Sequence, residues 1–284
     1  LFKQFILLLI SWLNRSSEPK DSVLCDFERI RQTLQPGDVL LIEGRAVVDR
    51  KIRKLTQSQW SHSVLYIGRL LDITDPDIKA LIKNHLECET DTPLVVRSRL
   101  GRGTVIEPLL ELEREHIRIC RPKGLAPKDT EQVIRYAVSF VGTDKEEYHL
   151  LDLMRLFFPW SLLPQSWRLP AFKYHPGKHT EIISSALIAN AFGFVQFPVM
   201  PLVKTTGKGG TQLLRRKPRL CLPIDFDNSP YFEIVKYPFI DFANYTGHNL
   251  IPWKGSGVVS GEEPSLHLAH SNSNLENRKG QTDS

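Results

Sequence analysis

Three short segments of the chain carry the residue types that covalent catalysis uses. His62 lies at the mouth of a predicted strand, Glu87 lies on a predicted neighbouring strand with Glu89 as its alternative, and Ser184 lies near the start of a predicted helix. A nucleophile, a base and a group that orients the base are the arrangement needed for acyl transfer through a covalent intermediate. A helix N-terminus also stabilises a developing anion. The three segments therefore predict a candidate site for acyl transfer.

Each of these residues also has an ordinary structural interpretation. Serine is a common helix N-cap, and a histidine at a strand end often bonds to backbone. Glu87 and Glu89 share a predicted strand face with His85, so either carboxylate is a candidate and both could be solvated. The combination of the three segments favours a site over three unrelated structural roles.

Composition sets the class of protein. The chain has 284 residues, of which 41% are hydrophobic and 24% charged, which excludes a collagenous, coiled-coil or wholly disordered protein. This length allows one large domain or two small ones. The formal net charge is +5, which is compatible with an anionic partner but names none.

The cysteines and histidines indicate no metal or cofactor. The four cysteines have no CxxC pairing and are too scattered for a disulfide framework, so reduced thiols are expected at Cys25, Cys88, Cys120 and Cys221. Two further groups have ligand-like spacing: His85 with Glu87 and Glu89, and His175 with His179 and Glu181. A charged strand edge and an exposed loop are the simpler interpretations, so we predict no metal site.

The N-terminal segment, residues 1–20, is the most apolar part of the chain. Its run from Phe5 to Leu13 is flanked by Lys3 and Arg15 and is about half of the ~20 residues that span a bilayer. No signal-peptide cleavage site follows it. Three interpretations remain: an interfacial helix, the remnant of a truncated anchor, or a helix docked on the domain. We favour membrane contact, with association to a membrane or the cell envelope as the expected location and the cytoplasm as the alternative.

Hydrophobic periodicity predicts an α+β domain over residues 21–253. Helices are expected over 26–34, 47–55, 127–141, 150–158 and 181–192, with a helical or irregular insert over 72–84. Short strands are expected over 38–43, 63–68, 85–89, 94–96, 104–107 and 117–120. Turn residues between the strands favour a small antiparallel sheet. Residues 254–284 lack periodicity and bulk, so we expect a disordered tail.

Five sequence blocks resemble one known family. In order along the chain they are PGDVLL at 36–41, WSHSVLYIG at 60–68, LE at 86–87 with VIEPL at 105–109, FVGT at 140–143, and SSALIA at 184–189 followed by AF at 191–192. They are similar to the permuted papain-like amidases of the YiiX/YebB kind, within the NlpC-type cysteine peptidase superfamily. The resemblance covers roughly residues 34–195, and the histidine precedes the nucleophile position as it does in that family.

The resemblance implies a fold and a set of roles. The fold would be a circularly permuted papain-like one, with a small antiparallel, barrel-like sheet packed by helices. His62 would be the general base, Glu87 its orienting residue and position 184 the nucleophile. We also expect Trp60, Tyr66 and Ser185 to contact substrate. The implied activity is hydrolysis or transfer at amide or (thio)ester bonds of a peptide or lipid-linked substrate.

Position 184 departs from the family pattern, because the family has cysteine where this chain has Ser184. A serine hydroxyl stays protonated until the base acts, whereas a cysteine is readily converted to its thiolate. Three explanations are open: an engineered exchange that silences the enzyme, a natural serine variant, or a natural pseudoenzyme. The otherwise intact surroundings favour the first. The alternative function is a catalytically silent lipid- or peptide-binding module at a membrane surface.

Two basic runs flank the candidate site in sequence. One contains Arg45, Arg50, Lys51, Arg53 and Lys54, and the other extends from 204 to 219 without an acidic residue. Together with the apolar N-terminal segment they favour an anionic membrane surface as partner. Nucleic acid is not expected, because no aromatic-interleaved platform or groove-reading motif accompanies the charge.

Overall fold

An open antiparallel sheet with helices on both faces forms the described part of the chain. The computed structural model describes residues 8, 11–15, 26–99, 102–142, 184–205, 211–214, 216–218 and 221–235. All of them belong to the unit Leu1–Tyr237. Three predictions lie outside the described residues: the helix over 150–158, the tail over 254–284, and the group of His175, His179 and Glu181.

The described chain contains six α-helices, one 3-10 helix and eight strands. The helices are α1 (Phe27–Thr33), α2 (Val47–Thr56), α3 (Pro76–His85), α4 (Pro127–Ser139), α5 (Ser184–Phe194) and α6 (Pro223–Asp227), with a 3-10 helix at Leu109–Leu112. The strands are β1 (Val39–Glu43), β2 (His62–Arg69), β3 (Pro93–Arg99), β4 (Gly103–Pro108), β5 (His116–Pro122), β6 (Leu202–Thr205), β7 (Thr211–Leu214) and β8 (Phe232–Val235).

Six strands form one sheet in the order β4-β3-β2-β1-β5-β8, and every neighbouring pair is antiparallel. Strands β6 and β7 form a separate hairpin. Within the described residues the six-stranded sheet is not closed, so the expectation of a barrel-like sheet is wrong, while the α+β class is confirmed. The central position of β1 and β2 follows from their near-continuous apolar sequences, which favour strands buried on both faces.

Alternate residues of β1 and β2 supply two apolar clusters, one on each face of the sheet. Leu65 and Ile67 pack in the first cluster with residues of α3, α4, α5 and α6. Val64 and Tyr66 pack in the second with Ile30 of α1 and with the 3-10 helix. This alternation is the period-2 geometry of a strand. The helices on the first face include α5, which packs against β2 and α4.

Helix α3 corrects one strand prediction. The chain over 76–85 is helical, begins at a Pro after the N-cap Asp75, and ends at His85, so residues 85–89 do not form the predicted strand. Asp75 accepts hydrogen bonds from the backbone N–H groups of Asp77 and Ile78. This cap and the apolar spacing of Ile78 and Ile82 favour a helix. The loop that follows carries Glu87 and Glu89.

Candidate active site

The base half of the candidate site is a histidine–carboxylate pair. Nε2 of His62 lies 2.5 Å from Oδ1 of Asp49, and the two side chains are 27% and 7% exposed. Nδ1 of His62 makes no hydrogen bond to any residue in the part of the chain that the structure describes. A carboxylate bound at one ring nitrogen fixes the orientation of the imidazole and leaves the other nitrogen to act on a substrate or nucleophile.

Local sequence explains why Asp49 reaches His62. Strand β1 ends at Glu43, α2 begins at Val47, and β2 returns so that His62 pairs with Ile42. Asp49 is the third residue of α2, and its Oδ2 accepts a 2.8 Å hydrogen bond from the N–H of Ala46, the residue that precedes the helix. This is the carboxylate half of a capping box, and it turns Asp49 back toward the start of the helix.

Gly44 and Ser61 close the space around the Asp49 carboxylate. A Cβ at Gly44 would overlap the Asp49 carboxylate and lie 2.8 Å from Oγ of Ser61. The buried Ser61 hydroxyl accepts a 2.9 Å hydrogen bond from the N–H of Gly44 and donates one of 3.1 Å to the carbonyl of Ile42. The glycine is therefore required by close approach, and the carboxylate has little freedom to move.

The charge on Asp49 is stabilised by its neighbours. Burial alone raises the pKa of this carboxyl, but the positive charge and hydrogen bond of His62, the N–H of Ala46 and the charge of Arg97 together hold the pKa below its usual 3.8. The pKa of Arg97 is lowered, first by burial and then by Arg99. Ion pairs continue from Arg97 and Arg99 to the buried Glu107 on β4.

The nucleophile half is the first residue of α5. Ser184 is 1% exposed, and its Oγ accepts a 3.2 Å hydrogen bond from the backbone N–H of Ser63, the residue next to His62. The adjacent Ser185 donates a 2.8 Å hydrogen bond from its hydroxyl to the carbonyl of Cys221. These two contacts fix the start of α5 against β2 and against Cys221, two residues before α6. Position 184 therefore lies beside the strand end that carries His62.

The two carboxylates predicted to orient His62 lie elsewhere. Glu87 and Glu89 are both exposed in the loop between α3 and β3. The carboxylate that contacts His62 is Asp49, so the prediction of Glu87 or Glu89 is corrected. Its cause is the mistaken strand over 85–89, which had placed the two glutamates beside β2.

Asp49 is not among the residues that the sequence predicts for the site, because the segment over 47–55 is predicted as a helix and carries mainly basic charges. Two sequence signals could have found it: Asp49 is the only acidic residue between 47 and 56, and it occupies the third helical position, where a carboxylate turns back toward the helix start. Its distance from His62 in sequence is short, so the pairing needs no long-range contact.

The three residues expected to contact substrate are buried. Trp60 is 1% exposed, its Nε1 donates to Asp227, and the guanidinium of Arg118 lies 4.8 Å from its ring centroid. Tyr66 packs in the second apolar cluster, where burial raises its pKa. Ser185 is fully buried and bonded to the Cys221 carbonyl. These three side chains therefore belong to the core around the site and are not part of an exposed binding surface.

The three thiols among the described residues all have raised pKa values. Burial raises the pKa of Cys120 to about 12, and it raises that of Cys221 well above the usual value. Cys88, in the exposed loop after α3, also has a raised pKa because of desolvation. A raised pKa keeps a thiol protonated and weakly nucleophilic. Among the described residues, no group of three or more His, Cys, Asp or Glu side chains is placed to hold a metal ion.

No protein-family model matches this chain, and no curated protein matches it. In the described residues no helix is long and apolar enough to cross a membrane.

Proposed function

We propose that the chain carries the site of a papain-like acyl hydrolase or acyltransferase, with position 184 as the nucleophile, His62 as the general base and Asp49 as the residue that orients His62. The observation that carries this proposal is the hydrogen bond between Oγ of Ser184 and the N–H of Ser63, because it holds the first residue of α5 against the backbone of the residue that follows the carboxylate-bound His62. The open antiparallel sheet packed by α5 is compatible with the permuted papain-like fold that the sequence resembles.

The chemistry follows from the two halves. The side-chain heteroatom at position 184 attacks the carbonyl carbon of an amide, ester or thioester, and its proton passes to Nδ1 of His62. The tetrahedral intermediate collapses, the leaving amine, alcohol or thiol takes that proton, and an acyl group remains on residue 184. Water or another acceptor then gives its proton to His62 and attacks the acyl carbon, the bond from that carbon to residue 184 breaks, and His62 returns the proton to the heteroatom of residue 184.

Two features of the structure support this assignment of atoms. Asp49 holds Nε2 of His62, so Nδ1 is the nitrogen left for proton transfer. The N–H of Ser63 already donates to the heteroatom at position 184, and the N-terminus of α5 adds a positive potential there. Both stabilise negative charge as it develops on the nucleophile. A peptide or a lipid-linked acyl compound is the proposed substrate class.

A catalytically silent binding module is the second candidate. It is favoured by the burial of Ser184, which is 1% exposed and whose hydroxyl is engaged by a backbone N–H. A serine held in this way is a weaker nucleophile than the cysteine that the resembling family has.

Substitution of Ser184 by Cys distinguishes the two. The variant is incubated with a chromogenic acyl ester and a thioester, and acylation is read by intact mass and peptide mapping, with the unsubstituted chain as background for Cys25, Cys88, Cys120 and Cys221. The enzyme proposal expects an adduct on residue 184 that is lost on adding His62→Ala and kept on adding Glu87→Ala. Absence of any adduct on residue 184 would leave the binding module as the better account.

A further inference from the structure

Two apolar side chains of the N-terminal segment face solvent. Leu8 is 70% exposed and Trp12 is 49% exposed. Residue 8 and residues 11–13 are helical, and Leu13, next to Trp12, is buried. The two exposed apolar side chains, Leu8 and Trp12, are together called the apolar edge here.

This edge is attached to α2. The carbonyl of Arg15 accepts a 3.2 Å hydrogen bond from the N–H of Val47, the first residue of α2. One turn further along α2, Nζ of Lys51 lies 5.2 Å from the centroid of the Trp12 ring. The burial of Leu13 and these two contacts hold the apolar edge beside the helix.

The outer side of α2 is cationic. Arg50, Lys51 and Lys54 are exposed, whereas the single acidic residue of the helix, Asp49, is turned inward and paired with His62. Arg53, the remaining cation of the helix, is paired with Glu43. An exposed apolar edge thus lies next to a helix whose outward charges are all positive.

We propose that the edge of Leu8 and Trp12 together with the outer side of α2, here the α2 docking surface, binds an anionic lipid bilayer. Leucine and tryptophan insert at the boundary between head groups and acyl chains, while lysine and arginine beside them contact lipid phosphates. A nucleic acid would use the cations but not the exposed Leu8. A second copy of the chain docked through the same surface would bring the like charges of two α2 helices together.

The experiment is flotation of the full-length chain with phosphatidylcholine vesicles that contain or lack phosphatidylglycerol, at low ionic strength. The chain is expected to bind the anionic vesicles, and Arg50→Gln/Lys54→Gln to bind them about 30-fold more weakly, since each cation near the surface contributes about fivefold. The matched control is Lys83→Gln/Lys128→Gln, which removes two exposed cations from α3 and α4 and should bind as the unsubstituted chain does.

A second pair of variants tests the apolar edge. Trp12→Ala is expected to reduce binding to anionic vesicles at least tenfold, while Leu110→Ala, which truncates a side chain of similar exposure in the 3-10 helix, should leave it unchanged. Circular dichroism on each variant establishes that the fold is kept. Three results would overturn the proposal. They are equal vesicle binding by all variants, a loss of binding in the control variants equal to that in the test variants, and displacement of the chain from vesicles by duplex DNA at stoichiometric concentration.

Discussion

The two halves of the candidate site are built in different ways. The base half comes from one continuous stretch, because Gly44, Asp49, Ser61 and His62 all lie on or between β1 and β2. The nucleophile half depends on a contact between residues 63 and 184, which are 121 positions apart in sequence. The first half is held by several short-range hydrogen bonds and an ion pair, and the second by the packing of α5 with two serine contacts.

This difference predicts which half of the site should tolerate amino-acid substitution. A closely packed carboxylate with a glycine against it has no room to adjust, so small changes there are costly. The start of α5 is supported by a large apolar cluster on one face of the sheet, so loss of the Ser184 hydroxyl removes only one bond among many contacts. The base half should therefore be the more sensitive to substitution.

The largest expected effect is that of Gly44→Ala. The added methyl group would overlap the Asp49 carboxylate and crowd the Ser61 hydroxyl. We expect the free energy of unfolding to fall by about 3 kcal/mol, measured by urea denaturation. Gly124→Ala is the control, since no atom lies within 4 Å of the added Cβ there and only the φ of +72° opposes the change. An equal loss in both variants would contradict the close packing of Asp49.

Asp49→Asn should have the next largest effect, about 2 kcal/mol at neutral pH, because the buried carboxylate that contacts Nε2 of His62 and accepts the N–H of Ala46 is replaced by an amide. The folded-state pKa of Asp49 is lowered, so its stabilisation is fully present above the unfolded-state pKa near 3.8 and is lost as pH falls through the folded-state value. The difference between Asp49→Asn and the unsubstituted chain should therefore shrink below about pH 4. Denaturation at several pH values measures it.

Glu87→Ala is the matched control for that comparison, since Glu87 is an exposed carboxylate. Its removal should change the free energy of unfolding by less than about 0.5 kcal/mol. Below pH 4 the free energy of unfolding of this variant should change with pH as that of the unsubstituted chain does. A loss equal to that of Asp49→Asn would restore Glu87 as the partner of His62.

Ser184→Ala should have the smallest effect on the site, about 1 kcal/mol, because the N–H of Ser63 loses its acceptor. Thermal unfolding followed by circular dichroism measures it. A loss as large as that of Gly44→Ala would show that the nucleophile half is the more rigid one and would reverse the comparison.

The sequence was enough to predict the elements whose signals are local. The apolar run of β1 and the helix α4, which begins at Pro127, are confirmed because each depends on propensity and periodicity over a few residues. The helices over 26–34 and 47–55 and the strands over 63–68, 94–96, 104–107 and 117–120 are confirmed with small shifts of their ends. These elements carry most of the fold that surrounds His62.

What could not be predicted depends on competition between local signals or on distant contacts. Residues 85–89 alternate as a strand does, but the helix that starts at the Asp75 cap continues through His85 and removes the glutamates from β2. The burial of Trp60 depends on Asp227, which is 167 positions away. The sheet order that places β5 beside β1 and β8 beside β5 is likewise set by long-range packing, which periodicity along the chain does not encode.

The most direct test of the account is the pH dependence of alkylation of residue 184 by iodoacetamide in the Ser184→Cys chain. Peptide mapping measures the fraction of residue 184 that is alkylated at each pH. If His62, oriented by Asp49, acts on position 184, the profile should have its midpoint at least about one unit below the ordinary thiol value of about 8.5, and adding His62→Ala or Asp49→Asn should return it toward that value. An ordinary midpoint in Ser184→Cys, unchanged by either second substitution, would contradict the central claim.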